Sequence, residues 1–483
     1  MTGAIKFLLG HEPREIADLD PNLTVLRYLR EHEGLCGTKE GCAEGDCGAC
    51  TVVLVEPENG GLRHRAVNAC IQFLPTLHGK QLIAVEHLKA ADGGLHPVQQ
   101  AMVDCHGSQC GFCTPGFVMS LYALYQEGGV QERRAIDDAL AGNLCRCTGY
   151  GPIVAAARQM GAAEPEDASE VLAQLSALMG EGAMSLEAAG RRYFAPRTAD
   201  ELAALLQEYP EACLLAGGTD VGLWVTKQHR RLDPVIYVGE VAELKRLEVG
   251  PYKIEIGAAV TYSEAHAVIA EAYPDFGEVI RRLGSRQIRN LGTIGGNIAN
   301  GSPIGDSPPP LIALDARLVL RSGSERREID LEDFFIAYGQ QDLQPSEFVE
   351  AVHLPRPTPG WQFRCYKVSK RFDQDITAVL GAFNLKLEGG RVAAARICYG
   401  GMAATPKRAT ACETALIGAA WNEQTLERGR QALDEDFAPI NDMRASADYR
   451  LRVAKNLLTK AFVETTAPET ATRLVGEGRV AYG

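Results

Sequence analysis

Eight cysteines in the first 150 residues fall into two sets of four. They are Cys42, Cys47, Cys50 and Cys70 in the first set, and Cys110, Cys113, Cys145 and Cys147 in the second. The first set is spaced C-x4-C-x2-C…C, and the second combines C-x2-C with C-x-C. Four thiolates that converge in this way can hold zinc or an iron–sulfur cluster. Ten of the fourteen cysteines precede residue 150, which indicates ligation rather than disulfide bonding.

The spacing of the first set favours iron over zinc. Zinc loops usually carry C-x2-C pairs, whereas C-x4-C-x2-C is the ligand run of plant-type [2Fe–2S] proteins. The loop 41–50 also has a glycine next to or near each cysteine, so its backbone can wrap closely and aim N–H groups at the sulfurs. Cys36 offers another register, but its use would break the spacing. We interpret Cys36 as a thiol near the cluster.

The residues around the first set follow the order of a β-grasp ferredoxin. The pattern predicts a strand over 4–10 with a hairpin partner, and then a helix capped by Thr24 and ended by Gly34. Further strands are predicted over 51–56 and 81–85.

The second cysteine set lies among predicted helices. From Leu95 onward the hydrophobic period changes from two to about 3.6 residues, which predicts helices over 97–104, 115–127, 130–141 and 152–160. One cysteine pair precedes the second helix and the other precedes the fourth, each with a proline near the first turn. The helix dipole and free N–H groups favour thiolates there. We predict a pseudo-twofold bundle around a second [2Fe–2S] cluster, with Cys105 as an ordinary thiol.

The composition is that of a multidomain globular chain. It has 483 residues, 46% hydrophobic and 23% charged, which suits roughly three or four domains. No run approaches the roughly 20 apolar residues of a membrane span, and the N-terminus lacks the regions of a signal peptide. The net charge of −13 argues against nucleic acid as a partner. We expect a soluble cytoplasmic protein with neither nucleic-acid nor membrane partners.

Two glycine-rich loops later in the chain suit a phosphate group. A strand predicted over 212–216 leads into the first loop, 217–222, and the second loop is 292–297. Adjacent glycines let the backbone approach a phosphate, and Thr219 adds a hydroxyl. Neither loop has the G-x-G-x-x-G or Walker pattern, which disfavours a Rossmann or P-loop site. Residues 161–190 are small, acidic and weakly patterned, which predicts an interdomain linker.

The strings 107–116 (GSQCGFCTPG) and 142–150 (GNLCRCTGY) resemble the second iron–sulfur domain of the xanthine oxidase (molybdenum hydroxylase) family. The resemblance spans nearly the whole chain and implies an α+β multidomain fold. The implied parts are a β-grasp [2Fe–2S] ferredoxin domain (1–88), a four-helix [2Fe–2S] bundle (89–165), a linker (166–190), a vanillyl-alcohol-oxidase-type α+β FAD-binding domain (191–363) and a small α/β C-terminal domain (364–483).

The resemblance also implies which residues hold FAD. The two glycine-rich loops would cradle its pyrophosphate, and Asp306 would bind the adenosine end. Leu283 stands where many relatives place an aromatic residue beside the adenine, so aliphatic contact replaces stacking. The expected FAD residues are Leu214, Leu215, Ala216, Gly217, Gly218, Thr219, Asp220, Val221, Leu283, Thr293, Ile294, Gly295, Gly296, Asn297, Asp306, Val349 and Lys367.

Three residues are candidates for a nicotinamide site. Tyr338 matches a tyrosine near that site in the family, and Gln374 and Asp375 belong to the loop 371–376 that covers the flavin ring. The neutral Gln374 amide adds no repulsion against NAD phosphates where many relatives bear a carboxylate, so we expect NAD to be preferred over oxygen. The alternative is that Gln374 is merely a solvated loop residue.

Within the family, this order of domains implies an electron-transfer subunit. A separate large molybdopterin-binding subunit, in an (αβ)2 heterotetramer, would oxidise hypoxanthine or xanthine, so no residue for substrate hydroxylation is expected in this chain. Electrons would pass through the second-set cluster, the first-set cluster and FAD to NAD. One alternative is the same role in an aldehyde or N-heterocycle hydroxylase, and another is a stand-alone NADH-dependent reductase. A non-enzymatic metal-binding scaffold would leave the flavin loops unexplained.

Overall fold

The computed structural model describes residues 3–90, 93–129, 132–164 and 167–473. The chain divides into two compact units, each of which has its own sheets and core. The first unit comprises residues 1–241 and 284–292, and the second comprises residues 242–283 and 293–483. The short segment Gly284–Gly292 therefore belongs to the first unit, although its neighbours in sequence belong to the second.

The first unit begins with a five-stranded sheet in the predicted β-grasp order. Its strands, in spatial order, are Glu12–Ile16, Ile5–Leu9, Gln81–Ile83, Thr51–Glu58 and Gly61–Asn68. Thr24 caps the helix Val25–Arg27 by accepting the Arg27 N–H, and the chain continues as a π-helical turn over Tyr28–His32. The strand Gly61–Asn68 was not predicted, because its arginines and histidine obscure the apolar alternation.

The strand Thr51–Glu58 is covered on both faces, which explains its unbroken apolar run. Val52 and Leu54 point into a core shared with the sheet that follows residue 183. Val53 and Val55 point into another core, shared with the helices around the second cysteine set. Because successive side chains of a strand point to opposite faces, this ferredoxin strand packs against the sheet after residue 183 on one face and against the helices around the second cysteine set on the other.

Four helices surround the second cysteine set, as predicted. They are Pro97–Asp104, Thr114–Gln126, Arg133–Leu140 and Gly151–Gln159. Their bounds differ from the predicted ones by at most a few residues, and positions 130 and 131 of the predicted third helix lie outside the described residues. The helix Thr114–Gln126 is buried from Gly116 to Leu124, because it packs on other helices and on two ferredoxin strands.

The rest of the first unit is a four-stranded sheet with short helices. Its strands, in spatial order, are Met184–Ala188, Arg191–Ala195, Val235–Tyr237 and Cys213–Leu215. The helices are Ser169–Met179, Ala199–Glu208, Val221–Thr226 and Arg286–Arg289. The predicted linker 166–190 thus contains a helix and a strand. Leu175 is the buried residue of that helix. The other residues of the helix are not buried, which explains why the composition suggested a linker. The domain boundaries stay a prediction.

The second unit contains an antiparallel five-stranded sheet and a two-stranded hairpin. The five strands are Leu247–Val249, Lys253–Gly257, Phe348–Pro355, Arg317–Ser322 and Glu325–Asp330, and the hairpin joins Phe335–Ala337 to Gln340–Gln341. The accompanying helices are Tyr262–Ala272, Pro274–Arg281, Ile294–Asn300 and Pro308–Ala313.

The end of the second unit is an antiparallel sheet covered by helices. Its strands are Trp361–Val368, Val379–Glu388, Arg391–Gly400 and Lys407–Arg408. Its helices are Thr410–Leu416, Glu423–Asp436 and Ala447–Thr466. Among the described residues, none of the helices has the length and apolar character needed to cross a membrane.

Candidate cofactor sites

The first cysteine set is assembled by the loop 41–50 and by the turn after the strand Gly61–Asn68. The Cys42 sulfur accepts hydrogen bonds from the thiols of Cys47 and Cys70, and these bonds lower the pKa of Cys42. The same contacts raise the pKa of Cys47 and of Cys70, and Cys70 also contacts Cys50. The N–H groups of Asp46 and Cys47 each lie 3.3 Å from Cys42 Sγ. Inward N–H groups are what an anionic cluster requires.

The second cysteine set stands before two helix starts, but not equally close to them. Cys113 is the N-cap of the helix Thr114–Gln126, whereas the helix Gly151–Gln159 is capped by Tyr150, beyond Cys145 and Cys147. The thiols approach as two pairs, Cys113 with Cys145 and Cys110 with Cys147. Each pair takes one cysteine from each half of the set.

Local contacts set the proton affinity of the inner thiols. Burial, together with a hydrogen bond to Cys145, raises the pKa of Cys113 to about 12. Burial also acts to raise the pKa of Cys145, but hydrogen bonds from the Thr148 side chain and backbone outweigh it and lower that pKa. The N–H of Thr148 lies 3.4 Å from Cys145 Sγ.

Both thiol sets have the composition that a binuclear cluster needs. A [2Fe–2S] cluster takes four thiolates shared between two irons. The first set is linked through Cys42 and Cys70, and the second set approaches as two pairs. The assignment of the eight individual thiols as ligands stays a prediction.

The two cysteine sets touch through their backbones. The Leu144 N–H, next to Cys145, donates to the Cys47 carbonyl over 3.0 Å. Gly48 has φ of +69°, and a Cβ there would lie 2.2 Å from the Gly142 carbonyl oxygen. Glycine at position 48 therefore permits this close approach.

The first glycine-rich loop, 217–222, which is the predicted flavin loop, lies against the first cysteine set. The strand Cys213–Leu215 leads into this loop, and the helix Val221–Thr226 follows it. A Cβ on Gly222 would lie 2.7 Å from Ile71, the residue after Cys70. At the end of the helix, Thr226 Oγ1 donates to the Ala43 carbonyl over 2.8 Å, and Lys227 donates to the Cys42 carbonyl.

The remaining expected FAD residues belong to the second unit. There Asp306 and Lys367 form a buried ion pair, with Lys367 Nζ 2.6 Å from Asp306 Oδ2. Lys367 also donates to the Arg282 carbonyl over 3.2 Å, and Thr377 donates to Asp306. These contacts link Asp306, through Lys367, to the residue that precedes Leu283. Val349 is buried in the strand Phe348–Pro355.

The second glycine-rich loop forms the start of a short helix. Thr293 Oγ1 accepts the Gly296 N–H over 3.0 Å and so caps the helix Ile294–Asn300. Asn297 Oδ1 accepts the Ser307 hydroxyl over 2.6 Å. The Asn297 side chain is thereby tied to the residue that follows Asp306.

The three nicotinamide-site candidates differ in exposure. Tyr338 is 75% exposed, whereas Gln374 is only 9% exposed and has φ of +52°. Arg371 donates to the Gln374 carbonyl, and Asp375 accepts the Arg371 N–H over 2.7 Å. The alternative that Gln374 is a solvated loop residue is therefore wrong, because Gln374 is buried. Its role toward NAD stays a prediction.

Four domain families match the chain in sequence order. They are a 2Fe-2S iron-sulfur cluster binding domain (10–73), a [2Fe-2S] binding domain (84–158), an FAD binding domain in molybdopterin dehydrogenase (186–357) and a CO dehydrogenase flavoprotein C-terminal domain (364–465). Together these four domains match the N-terminal part of the xanthine dehydrogenase/molybdenum hydroxylase family. The predicted multidomain α+β fold, the two [2Fe–2S]-binding domains and the FAD-binding domain are confirmed.

The curated relatives in this family are longer proteins. The xanthine dehydrogenase of Drosophila subobscura is 32% identical over 96% of this chain and 39% of its own length. That of Emericella nidulans is 32% identical over 90% of this chain and 36% of its own length. The chain therefore spans about two fifths of these relatives.

Solved structures in the family resemble just over half of the chain. Carbon monoxide dehydrogenase from Hydrogenophaga pseudoflava is 27% identical with a TM-score of 0.53, and covers 56% of this chain and 94% of its own. Quinoline 2-oxidoreductase from Pseudomonas putida 86 is 25% identical with a TM-score of 0.52, with the same coverage.

Sequence reasoning missed the segment Gly284–Gly292. Asn290 Nδ2 donates to the Ala66 carbonyl over 2.8 Å, and Arg65 donates to the Asn290 carbonyl over 3.1 Å. Arg286 forms an ion pair with Glu127. Apart from Gly292, which begins the second glycine-rich loop, the segment has no glycine-rich or cysteine motif, so its residue types carried no signal of these contacts.

Proposed function

We propose that this chain is the iron–sulfur and FAD subunit of an NAD-dependent xanthine dehydrogenase of the cytoplasm. It carries electrons from a large molybdopterin-binding subunit, in an (αβ)2 heterotetramer, through two [2Fe–2S] clusters and FAD to NAD. The xanthine dehydrogenase relatives support the substrate, and the four matched domains support the cofactors.

One observation carries the proposal: the cofactor regions of the first unit touch in the order that this route needs. Leu144, beside Cys145, is hydrogen-bonded to Cys47, so the second cysteine set meets the first. Ile71, beside Cys70, packs on Gly222 at the flavin loop. The first set therefore lies between the second set and that loop.

The residues of the chain would hold the cofactors and shield them from water. The clusters and the flavin together would convert single electrons into a hydride. Cys50 and Cys70 are buried in the ferredoxin core, which keeps water from that side of the first set. The N–H groups aimed at Cys42 stabilise negative charge on its sulfur. In the second unit, the Asp306–Lys367 pair keeps both side chains in fixed positions for the flavin.

Exposed apolar side chains surround the outer pair of the second set. Cys110 and Cys147 are themselves exposed. Phe112, Leu144 and Tyr150 beside them are 47%, 40% and 38% exposed. Clustered apolar and aromatic side chains are typical of protein interfaces. We assign this face to the molybdopterin-binding subunit, because that subunit must deliver electrons to the second set.

The test is anaerobic titration of the chain, alone and co-purified with a molybdopterin-binding partner. Xanthine should bleach the cluster and flavin absorbance, and NAD should restore it, only in the assembled enzyme. Phe112→Asp should weaken assembly, whereas Tyr252→Asp, at an exposed aromatic outside the cofactor regions, should not. An assembled enzyme that xanthine does not reduce would refute the assignment.

A second candidate function is the same role for another reducing substrate. The solved structures that resemble this chain are a carbon monoxide dehydrogenase and a quinoline 2-oxidoreductase, which favours this possibility. Titrating the same assembled enzyme with aldehydes, quinoline or nicotinate separates the candidates. Reduction of the unpartnered chain by NADH, with turnover of its own acceptor, would instead support a stand-alone reductase.

A further inference from the structure

A buried polar cluster lies where the two cysteine sets meet, and its members come from three parts of the first unit. Gln287, in the short helix Arg286–Arg289, is fully buried. Its Nε2 lies 3.3 Å from Thr51 Oγ1, 3.2 Å from Ser120 Oγ and 3.0 Å from Asn143 Oδ1. This one amide therefore contacts the ferredoxin sheet through Thr51, and it contacts the helical bundle through Ser120 and Asn143.

Two of the three partners of Gln287, Thr51 and Asn143, stand beside the cysteine loops, and the third, Ser120, belongs to the helix Thr114–Gln126. Thr51 follows Cys50 directly, and its hydroxyl donates to the Gly48 carbonyl over 2.7 Å. Asn143 stands two residues before Cys145 and donates to the same carbonyl over 3.1 Å. A shift of Gln287 would therefore be transmitted to the backbone between Cys47 and Cys50 and to the backbone before Cys145.

The side chain of Gln287 is also held sterically. A Cβ on Gly142 would lie 1.9 Å from Gln287 Oε1, so this oxygen rests against the backbone of the second loop. Within the described part of the chain, Gln287 Oε1 is buried without a hydrogen-bond partner. A buried acceptor without a hydrogen bond lowers the stability of the fold. The presence of Gln287 at this position therefore needs an explanation, and its place between the two loops offers one.

We propose that Gln287 is a positioning residue that sets the separation between the two cluster-binding loops. The purpose of this role rests on the proposed electron route, because electron transfer between two carriers slows steeply as their separation grows. Besides this amide, the loops are joined by the Leu144–Cys47 backbone bond and by bonds from the Asn143 amide to the Gly48 carbonyl and to Thr51 Oγ1. Gln287 is the member of this contact that comes from outside both cysteine-bearing domains.

The experiment measures the magnetic interaction between the two reduced clusters in the full chain loaded with iron and FAD. Each reduced cluster has an unpaired electron, and the resulting splitting of the low-temperature resonance signals falls with the cube of their separation. A chemical reductant populates both clusters, so the result does not depend on the substrate or on NAD. Failure of the proposed function and failure of this inference are therefore distinguishable.

Gln287→Met keeps the length of the side chain but removes its donors. We expect this variant to retain its iron, FAD and both cluster signals, with the splitting reduced and spread over a range of values. Asn290→Ala is the matched control, because Asn290 lies in the same segment but contacts the ferredoxin domain through Ala66. Its splitting should equal that of the wild type.

An unchanged splitting in Gln287→Met, or an equal change in Asn290→Ala, would overturn the proposal. If Gln287→Met loses iron, Ser120→Ala becomes the test, because it removes one partner of the amide, together with the 2.6 Å bond from Ser120 to Asn143, and leaves the apolar packing intact. A wild-type splitting in iron-loaded Ser120→Ala would then refute the inference, and a reduced one would support it.

Discussion

At the residue scale, the eight thiols of the two sets occupy different surroundings. Cys50 and Cys70 are buried, whereas Cys110 and Cys147 are exposed. Exposure and hydrogen bonds to the sulfurs are two of the factors that set the reduction potential of an iron–sulfur cluster. We therefore expect the two clusters to give distinct signals that single substitutions can remove separately.

Replacing Cys113 by serine tests the partition of the cysteines. Cys113 pairs with Cys145 and makes no contact with the first set that the structure records. We expect Cys113→Ser to abolish one of the two reduced-cluster signals and to leave the other signal and the flavin in place. In the assembled enzyme, xanthine-to-NAD turnover should collapse, while NADH reduction of an artificial dye should survive. Loss of both signals together would show that the sets are wrongly divided.

Gly142→Ala tests the steric contact between the second loop and Gln287. The added Cβ would lie 1.9 Å from Gln287 Oε1, so the amide or the loop must move. We expect a loss of about 1–3 kcal/mol in the free energy of unfolding, the usual range for overpacking, measured by urea titration. Gly151→Ala is the control, since a Cβ there meets nothing within 4 Å. Equal stability of the two variants would contradict the expectation.

At the element scale, the contact between the strand Gly61–Asn68 and the helix Thr114–Gln126 contains a partly buried titratable group. His64 packs edge-on to Tyr122, with ring centroids 6.0 Å apart. Burial lowers the pKa of His64 to about 4, from an ordinary value near 6.5. Between these two pH values the unfolded chain binds more protons than the folded one, so stability falls as the pH falls.

Replacing His64 by phenylalanine should remove part of this acid sensitivity. Phenylalanine at this position retains the ring contact with Tyr122, and its side chain binds no proton in the unfolded chain. Relative to wild type, His64→Phe should gain up to about 3 kcal/mol between pH 7 and pH 4, from about 1.4 kcal/mol per pKa unit. Denaturant titrations across this range measure the difference, with exposed His11→Phe as the control. Parallel pH profiles for wild type and His64→Phe would contradict the prediction.

We predict that the loop 371–376 sets the preference for NAD over oxygen. Gln374 is buried with a left-handed backbone, so a longer charged side chain at this position must push the loop outward. We expect Gln374→Arg to change the KM for NAD while flavin reduction by xanthine stays near the wild-type rate. An assembled enzyme that turns over as fast with oxygen alone as with saturating NAD would rule out the preference for NAD.

At the scale of the whole molecule, the cofactor content follows from the domains. Two [2Fe–2S]-binding domains and one FAD-binding domain predict four iron atoms and one flavin for each chain. Anaerobic purification followed by iron, sulfide, zinc and flavin analysis measures this ratio. Zinc in place of iron, or a chain that does not take up added FAD, would contradict it.

The sequence by itself determined the features that depend on neighbouring residues. Ligand spacing in the loop 41–50 and helical period after Leu95 are local, and both predictions agree with the matched domains and observed helices. Local patterns were less informative where an element is mostly exposed, as in the helix Ser169–Met179, or interrupted by charged residues, as in the strand Gly61–Asn68.

Only the tertiary structure decided which distant residues meet. Cys113 meets Cys145, and Gln287 lies between the two cysteine loops, although these residues are far apart in the chain. Gln374 is buried only in the folded chain. Gln287 and Gln374 are ordinary polar residues in sequence, and nothing in their neighbours marks them as buried. Their environment comes from packing between separate elements, because burial depends on which surfaces the folded chain brings together.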